Sequence, residues 1–206
     1  MSYLCLLASE QAMAVVGDSR LTLSPIPLHW DKAQKIGCDR GQHCLWACCG
    51  LTVFGGVNYA KVTARIFQGG GTLTEKAQAV AKRVNPPLSI QRRLYRQTTT
   101  FSLLAGQWTE RGAELLTLDL DGKHTTLHHW PAPAFLEAGW EAALRPPMPD
   151  PEGFRQAASD QLARMGRERV ATVIATDHRL AREQKKHIQT VGGPILWAAL
   201  ERPEKG

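Results

Sequence analysis

A chain of 206 residues with 43% hydrophobic side chains is long enough to bury a sizeable core and fits a single domain. No apolar run approaches the ~18 residues of a membrane span, and the start lacks the basic n-region of a secretory signal, so a cytoplasmic protein is expected. The formal charge of +6 is scattered, as in Arg92-Arg93 with Arg96 and Arg182 with Lys185-Lys186, with few aromatics between, which reads as solvated helix faces rather than a nucleic-acid or membrane surface.

Tyr3 to Ala8 is apolar, Ser9-Glu10-Gln11 is polar and Ala12 to Val16 is apolar again, which predicts a hairpin of two buried strands. Leu21 to Trp30 reads as a loop broken by Pro25 and Pro27. Ala33 to Cys38 and Cys44 to Cys49 predict two short strands around the polar turn Asp39-Arg40-Gly41-Gln42. Val53, Val57, Ala60, Ala64 and Phe67 recur at helical spacing, giving a first helix over Leu51 to Phe67 that Gly69-Gly70-Gly71 ends. No Lys-Ser/Thr pair follows those glycines, so they do not form a phosphate loop. Thr72 or Thr74 caps a second helix through Val84, with Pro86-Pro87 interrupting or ending it.

From Thr99 the period changes to two. Phe101, Leu103 and Ala105 alternate, Leu115 to Leu120 reads as strand, Asp121-Gly122 as a turn and His124 to His129 as the returning strand. Arg145 to Gly153 is a proline-rich connection, with too little chain after it for a second domain. Phe154 to Met165 is amphipathic, Val170 to about Lys186 reads as the last helix, and Ile188 to Leu200 as the closing strand.

The opening residues also carry a chemical pattern: Ser2, then Gly17-Asp18-Ser19-Arg20 after the second strand, then Lys35-Ile36, then Cys48-Cys49-Gly50-Leu51. In this order the chain resembles the proteasome β-subunit family, including its bacterial HslV and Anbu relatives, with matching spacing from Ser2 to Asp18 and one extra residue before Lys35, in the loop holding Pro25 and Pro27. The resemblance is carried by residues 2 to about 60, and Thr190-Val191-Gly192-Gly193-Pro194-Ile195 is similar to the entry of the closing strand in Anbu-type members. It implies an α+β fold, a four-layer αββα sandwich of two antiparallel sheets between helix layers, over residues 1–206. It also implies a cytoplasmic hydrolase that encloses its sites in a ring or open spiral of like subunits.

The implied chemistry is that of an N-terminal nucleophile. Removal of Met1 leaves Ser2 with a free α-amine, so one residue carries both the attacking Oγ and the base. Lys35 lowers the pKa of that Oγ, Asp18 pairs with Lys35 and orients it, and the N–H of Gly50 suits a developing oxyanion. By the same resemblance Leu21, Ala33, Cys48 and Thr52 line a small to medium apolar pocket, favouring cleavage after apolar residues. The substrate is a peptide or unfolded protein, and no cofactor or metal is required. Ring size and any ATPase partner are left open.

Two elements depart from the family pattern. The stretch expected to hold a Gly-Ser-Gly element reads Phe135-Leu136-Glu137-Ala138-Gly139, without serine. The acid expected just before Gly192 is absent, and Asp177, several residues early, is the nearest candidate for the supporting role. These departures keep open a non-catalytic scaffold or assembly subunit, and an amidohydrolase of the same fold acting on a small amide. Cys38, Cys44, Cys48 and Cys49 with His43 do not suggest zinc: no Cys-x-x-Cys pair is present, and adjacent Cys48 and Cys49 face opposite sides of a strand.

Overall fold

The computed structural model describes residues 2–23, 28–30, 34–50, 53–95, 100–140, 144–184 and 191–204. The chain opens with the expected hairpin, β1 (Tyr3–Ala8) and β2 (Ala12–Asp18). Its turn is closed by Ser9, whose buried hydroxyl accepts from the N–H groups of Gln11 and Ala12 and donates to the Ala157 carbonyl. Two short strands, β3 (Leu21–Leu23) and β4 (Leu28–Trp30), pair where a loop is expected. Then come β5 (Ile36–Asp39) and β6 (Cys44–Gly50), which pair antiparallel.

The helical spacing places a helix start at Leu51. The structure moves it to Tyr59, because Gly55 and Gly56 turn the chain with φ of +57° and +76° and join β7 (Val53–Phe54) to β8 (Val57–Asn58). The helix α1 (Tyr59–Gln68) then begins under the Asn58 side chain, which accepts from the Lys61 N–H.

The helix α2 (Leu73–Tyr95) opens on a reciprocal cap between Thr72 and Glu75. It runs straight through Pro86 and Pro87 instead of stopping there. The carbonyls those prolines leave unpaired belong to Lys82 and Arg83, both exposed to water. On the opposite face Val80, Val84 and Leu88 are completely buried, each worth about 1.5–3 kcal/mol. Asn85 and Arg92 also hold the turn at Gly122 and Asp121. Burial on both sides of the pair outweighs a local cost of about 3 kcal/mol per interior proline.

Four strands follow: β9 (Phe101–Thr109), β10 (Gly112–Leu120), β11 (Thr125–Trp130) and β12 (Ala134–Gly139). The two amphipathic stretches read as separate helices merge into one 25-residue helix, α3 (Ser159–Glu183), while Phe154 sits in a 3-10 turn before it. The closing strand β13 (Ile195–Glu201) starts later than its pattern suggests, after a Val191–Pro194 turn. Residues 185–190 lie outside the described part.

All pairings are antiparallel and build two main sheets, one ordered β12-β1-β2-β13 and the other β11-β10-β9-β6-β5. Strand alternation divides the apolar side chains among three clusters. Leu4, Leu6, Met13 and Val15 meet Leu45, Ala47, Leu104 and Leu115 of the other sheet. Tyr3, Cys5, Leu7, Ala14 and Val16 turn the other way, towards α3. Trp46, Cys48, Phe101, Leu103 and Leu116 pack against α1 and α2. β1 and β2 are thus buried on both faces, which is why they read as continuous apolar runs. Among the described residues no helix is long and apolar enough to cross a membrane.

The clusters set thiol reactivity. Burial pushes Cys44, Cys48 and Cys49 up to about 12 and raises Cys5 as well; it also raises Cys38, but that thiol is only partly buried and stays within reach of solvent. Since the thiolate is the reacting form, iodoacetamide at pH 8 is expected to alkylate native protein at Cys38 alone, and all five cysteines after unfolding. Rapid native labelling of Cys48 or Cys49, read by peptide mapping, would contradict this packing.

Candidate active site

The register of the opening hairpin sets Leu4 opposite Gly17, so Asp18 arrives beside the residue that precedes β1. Its carboxylate is fully buried. It accepts from the backbone N–H of Tyr3 at 2.8 Å, Arg20 at 3.0 Å and Gly192 at 3.3 Å, and faces Lys35 Nζ at 3.7 Å. Lys35 sits one residue before β5, where its carbonyl accepts from the Cys48 N–H at 2.9 Å. Only 2% of it is exposed, and its ammonium donates to Ser2 Oγ at 2.5 Å and to the Arg20 carbonyl. Ser2 Oγ in turn donates to that same carbonyl at 3.2 Å.

Ser2, Asp18 and Lys35, assigned from three separate parts of the sequence, therefore form one buried cluster. Burial pulls the Lys35 ammonium below its ordinary pKa, opposed by the charge of Asp18. Burial likewise pushes the Asp18 carboxyl up, opposed by Lys35 and the three N–H donors.

Gly50 ends β6 with φ +90° and is followed by the β7–β8 hairpin, not directly by a helix. Cys48 points into the core under α1 and α2, while Cys49 faces the inter-sheet cluster. Ala33 and Thr52, and the side chain of Leu21, lie outside the described residues. Asp177 stands on α3, fully buried. It accepts from Trp140 Nε1 at 3.0 Å and from the Val191 N–H at 2.9 Å.

The serine-less stretch 135–139 holds residues that the sequence pattern does not single out. It forms β12, paired along β1 with Gly139 opposite Tyr3. Gly139 has φ +77°, and a Cβ there would lie 1.8 Å from the Ser2 carbonyl oxygen, so no other residue fits. The next residue, Trp140, donates its backbone N–H to that carbonyl at 2.9 Å. The visible signal was a glycine closing an apolar run ahead of a tryptophan, which by itself marks no role.

Behind Ser2, Glu137 of β12 gathers a second polar cluster. Arg169 of α3 donates to its Oε1 through Nε at 2.9 Å and Nη2 at 2.5 Å, and also holds the Pro146 and Pro147 carbonyls. The Tyr3 hydroxyl donates to Glu137, and burial raises its pKa well above the ordinary value. Arg145 lies 3.8 Å from Glu137 Oε2 and donates to the Gly139 and Trp140 carbonyls. Among the described residues no three His, Cys, Asp or Glu side chains converge as a metal site.

No protein-family model matches the sequence, and no curated protein does. The structure does have a likeness: a mutant of the Anbu protein from Hyphomicrobium sp. strain MC1 matches with a TM-score of 0.56 over 98% of this chain and 82% of that one, at 13% identity. The chain has the Anbu fold. Among the described residues its two main antiparallel sheets and three α-helices agree with that fold, and the match extends well beyond the opening sixty residues that carry most of the motif resemblance.

The buried pair sets a stability test. Lys35→Ala leaves Asp18 buried without its cation and is expected to cost about 3–5 kcal/mol. Lys35→Met with Asp18→Asn removes the stranded charge and should regain part of that loss. Denaturation midpoints of the three proteins check this, and a Lys35→Ala protein as stable as the parent would place Lys35 in water instead.

Proposed function

We propose that this chain is a proteasome-like N-terminal-nucleophile peptidase, a single four-layer αββα domain over residues 1–206 that works inside a self-assembled ring or spiral. The observation that carries the proposal is the 2.5 Å contact of Lys35 Nζ with Ser2 Oγ, backed by Asp18, at the start of the first strand. A buried ammonium aimed at a hydroxyl lowers the cost of forming an alkoxide there. The Anbu fold supports the same reading.

In the proposed reaction Met1 is removed, and the freed α-amine of Ser2 takes the proton as Oγ attacks a peptide carbonyl. The Gly50 N–H stabilises the oxyanion. The amine returns the proton to the departing peptide nitrogen, leaving an ester on Ser2. Water, deprotonated by the same amine, then hydrolyses the ester. With Met1 in place the Ser2 nitrogen is an amide and supplies no base. The substrate class is a peptide or unfolded protein, with Leu21, Ala33 and Thr52 proposed for the pocket, while Cys48, expected there too, packs in the core instead.

A second reading, a non-catalytic scaffold subunit, is favoured by the burial of Ser2, which is 6% exposed, and by the lack of a serine in 135–139. A peptide α′,β′-epoxyketone separates the two, because its stable adduct needs both a free α-amine and the hydroxyl. Intact mass is expected to show Met1 lost and one adduct on the parent, none on Ser2→Ala, with peptide turnover abolished by the same change. A parent that keeps Met1 and takes no adduct would instead support the scaffold.

Assembly is tested separately. Sedimentation velocity at micromolar concentration is expected to show a particle of many subunits, and a monomer there would count against self-compartmentalisation.

A further inference from the structure

We infer that Trp140 is a positioning residue for Ser2, coupling the strand that carries the nucleophile to the turn that seats Asp18; this rests on the peptidase reading above. Its backbone N–H holds the Ser2 carbonyl at 2.9 Å, and its indole N–H reaches Asp177 Oδ1 at 3.0 Å. The other oxygen of Asp177 takes the Val191 N–H at 2.9 Å. The next residue, Gly192, donates its N–H to Asp18 Oδ2 and accepts from the Arg20 N–H at 3.0 Å. The connection therefore runs from Ser2 through Trp140, Asp177 and the 191–192 turn to Asp18, and closes through Lys35 back on Ser2.

Two features show that this is more than an ordinary buried tryptophan. Trp140 holds φ +34°, a left-handed conformation that a bulky side chain adopts only when its surroundings enforce it. Those surroundings are identifiable: Arg145 holds its carbonyl, Asp177 its indole and Ser2 its N–H. The indole is also 4% exposed and Asp177 fully buried, so their hydrogen bond is shielded from water and its loss leaves a carboxylate oxygen without that donor.

The test uses Trp140→Phe, which deletes the indole N–H and keeps an aromatic ring, and Asp177→Asn, which keeps every ring contact but has one acceptor oxygen for two donors and so loses either the indole or the Val191 bond, both links of the same connection. Capture of Ser2 by the epoxyketone is followed as kinact and KI. Both variants are expected to lower kinact about tenfold or more, as small misplacement of a nucleophile does, with KI little changed. The double variant should be no slower than the worse single. A folded Trp140→Phe or Asp177→Asn protein with the parent kinact would overturn the inference. So would a loss confined to KI. Should Trp140→Phe fail to fold, Asp177→Asn carries the same comparison.

Amide hydrogen exchange gives a readout that needs no activity. Trp140→Phe is expected to speed exchange at Val191 and Gly192, to which the indole is linked by hydrogen bonds through Asp177, together with Tyr3. Parent-like exchange at those amides overturns the coupling. If the parent is never captured at Ser2, the peptidase reading falls, and the exchange measurement alone decides the coupling.

Discussion

A buried carboxylate needs donors, and the arrangement around Ser2 follows from how Asp18 finds them. Three of its partners are backbone N–H groups, from Tyr3, Arg20 and Gly192, and the fourth is the Lys35 ammonium. Each comes from a different place: the first strand, the bend after the second, the entry of the last and the approach to β5. Burial without these partners would cost several kcal/mol. The carboxylate thus fixes the relative positions of four chain segments and delivers a cation to a serine as a result.

Lys35 is pulled two ways at once. Water exclusion favours its neutral form, and Asp18 favours its charged one. An ammonium so placed also shares the Arg20 carbonyl with the serine hydroxyl, so hydroxyl and ammonium are ordered by one acceptor. The glycine at 139 completes the seat from the opposite side by leaving room for the Ser2 carbonyl. Chemistry at Ser2 would therefore begin from a group whose direction is already set, with little reorganisation left for the reacting state.

Much of this was legible in the sequence, and the residues show why. Tyr3 to Ala8 and Ala12 to Val16 are doubly buried strands, and such strands announce themselves as unbroken apolar runs. Asp18 could be placed beside Ser2 because a hairpin with a three-residue turn fixes register through short-range geometry, whereas the roles expected of Ser2, Asp18 and Lys35 came from the resemblance to the proteasome β-subunit family. What failed depended on partners distant in the chain. Pro86-Pro87 looks like a helix end until Val84 and Leu88 are seen buried on the far face. The break expected between Met165 and Val170 vanishes because Gly166 lies against Val16, where close packing suits the missing side chain. The roles of Gly139 and Trp140 arise from pairing across more than 130 residues, and composition at those positions carries no trace of it.

The three helices are unequal in what they guard among the described residues. α3 supplies Asp177 and Arg169, which hold the Trp140 turn and the Glu137 cluster, whereas α1 and α2 cover the outer face of the other sheet. Folded proteins open in parts, each part with its own free energy. An excursion that lifts α1 and α2 would expose Trp46 and Phe101 and leave the hydrogen bonds among Ser2, Asp18 and Lys35 closed. An excursion that lifts α3 would strip both supports from the neighbours of Ser2 at once. Mild heat or denaturant can thus produce two kinds of partly open molecule, one with the surroundings of Ser2 intact and one without, and the balance between them is set by how firmly a single 25-residue helix stays seated.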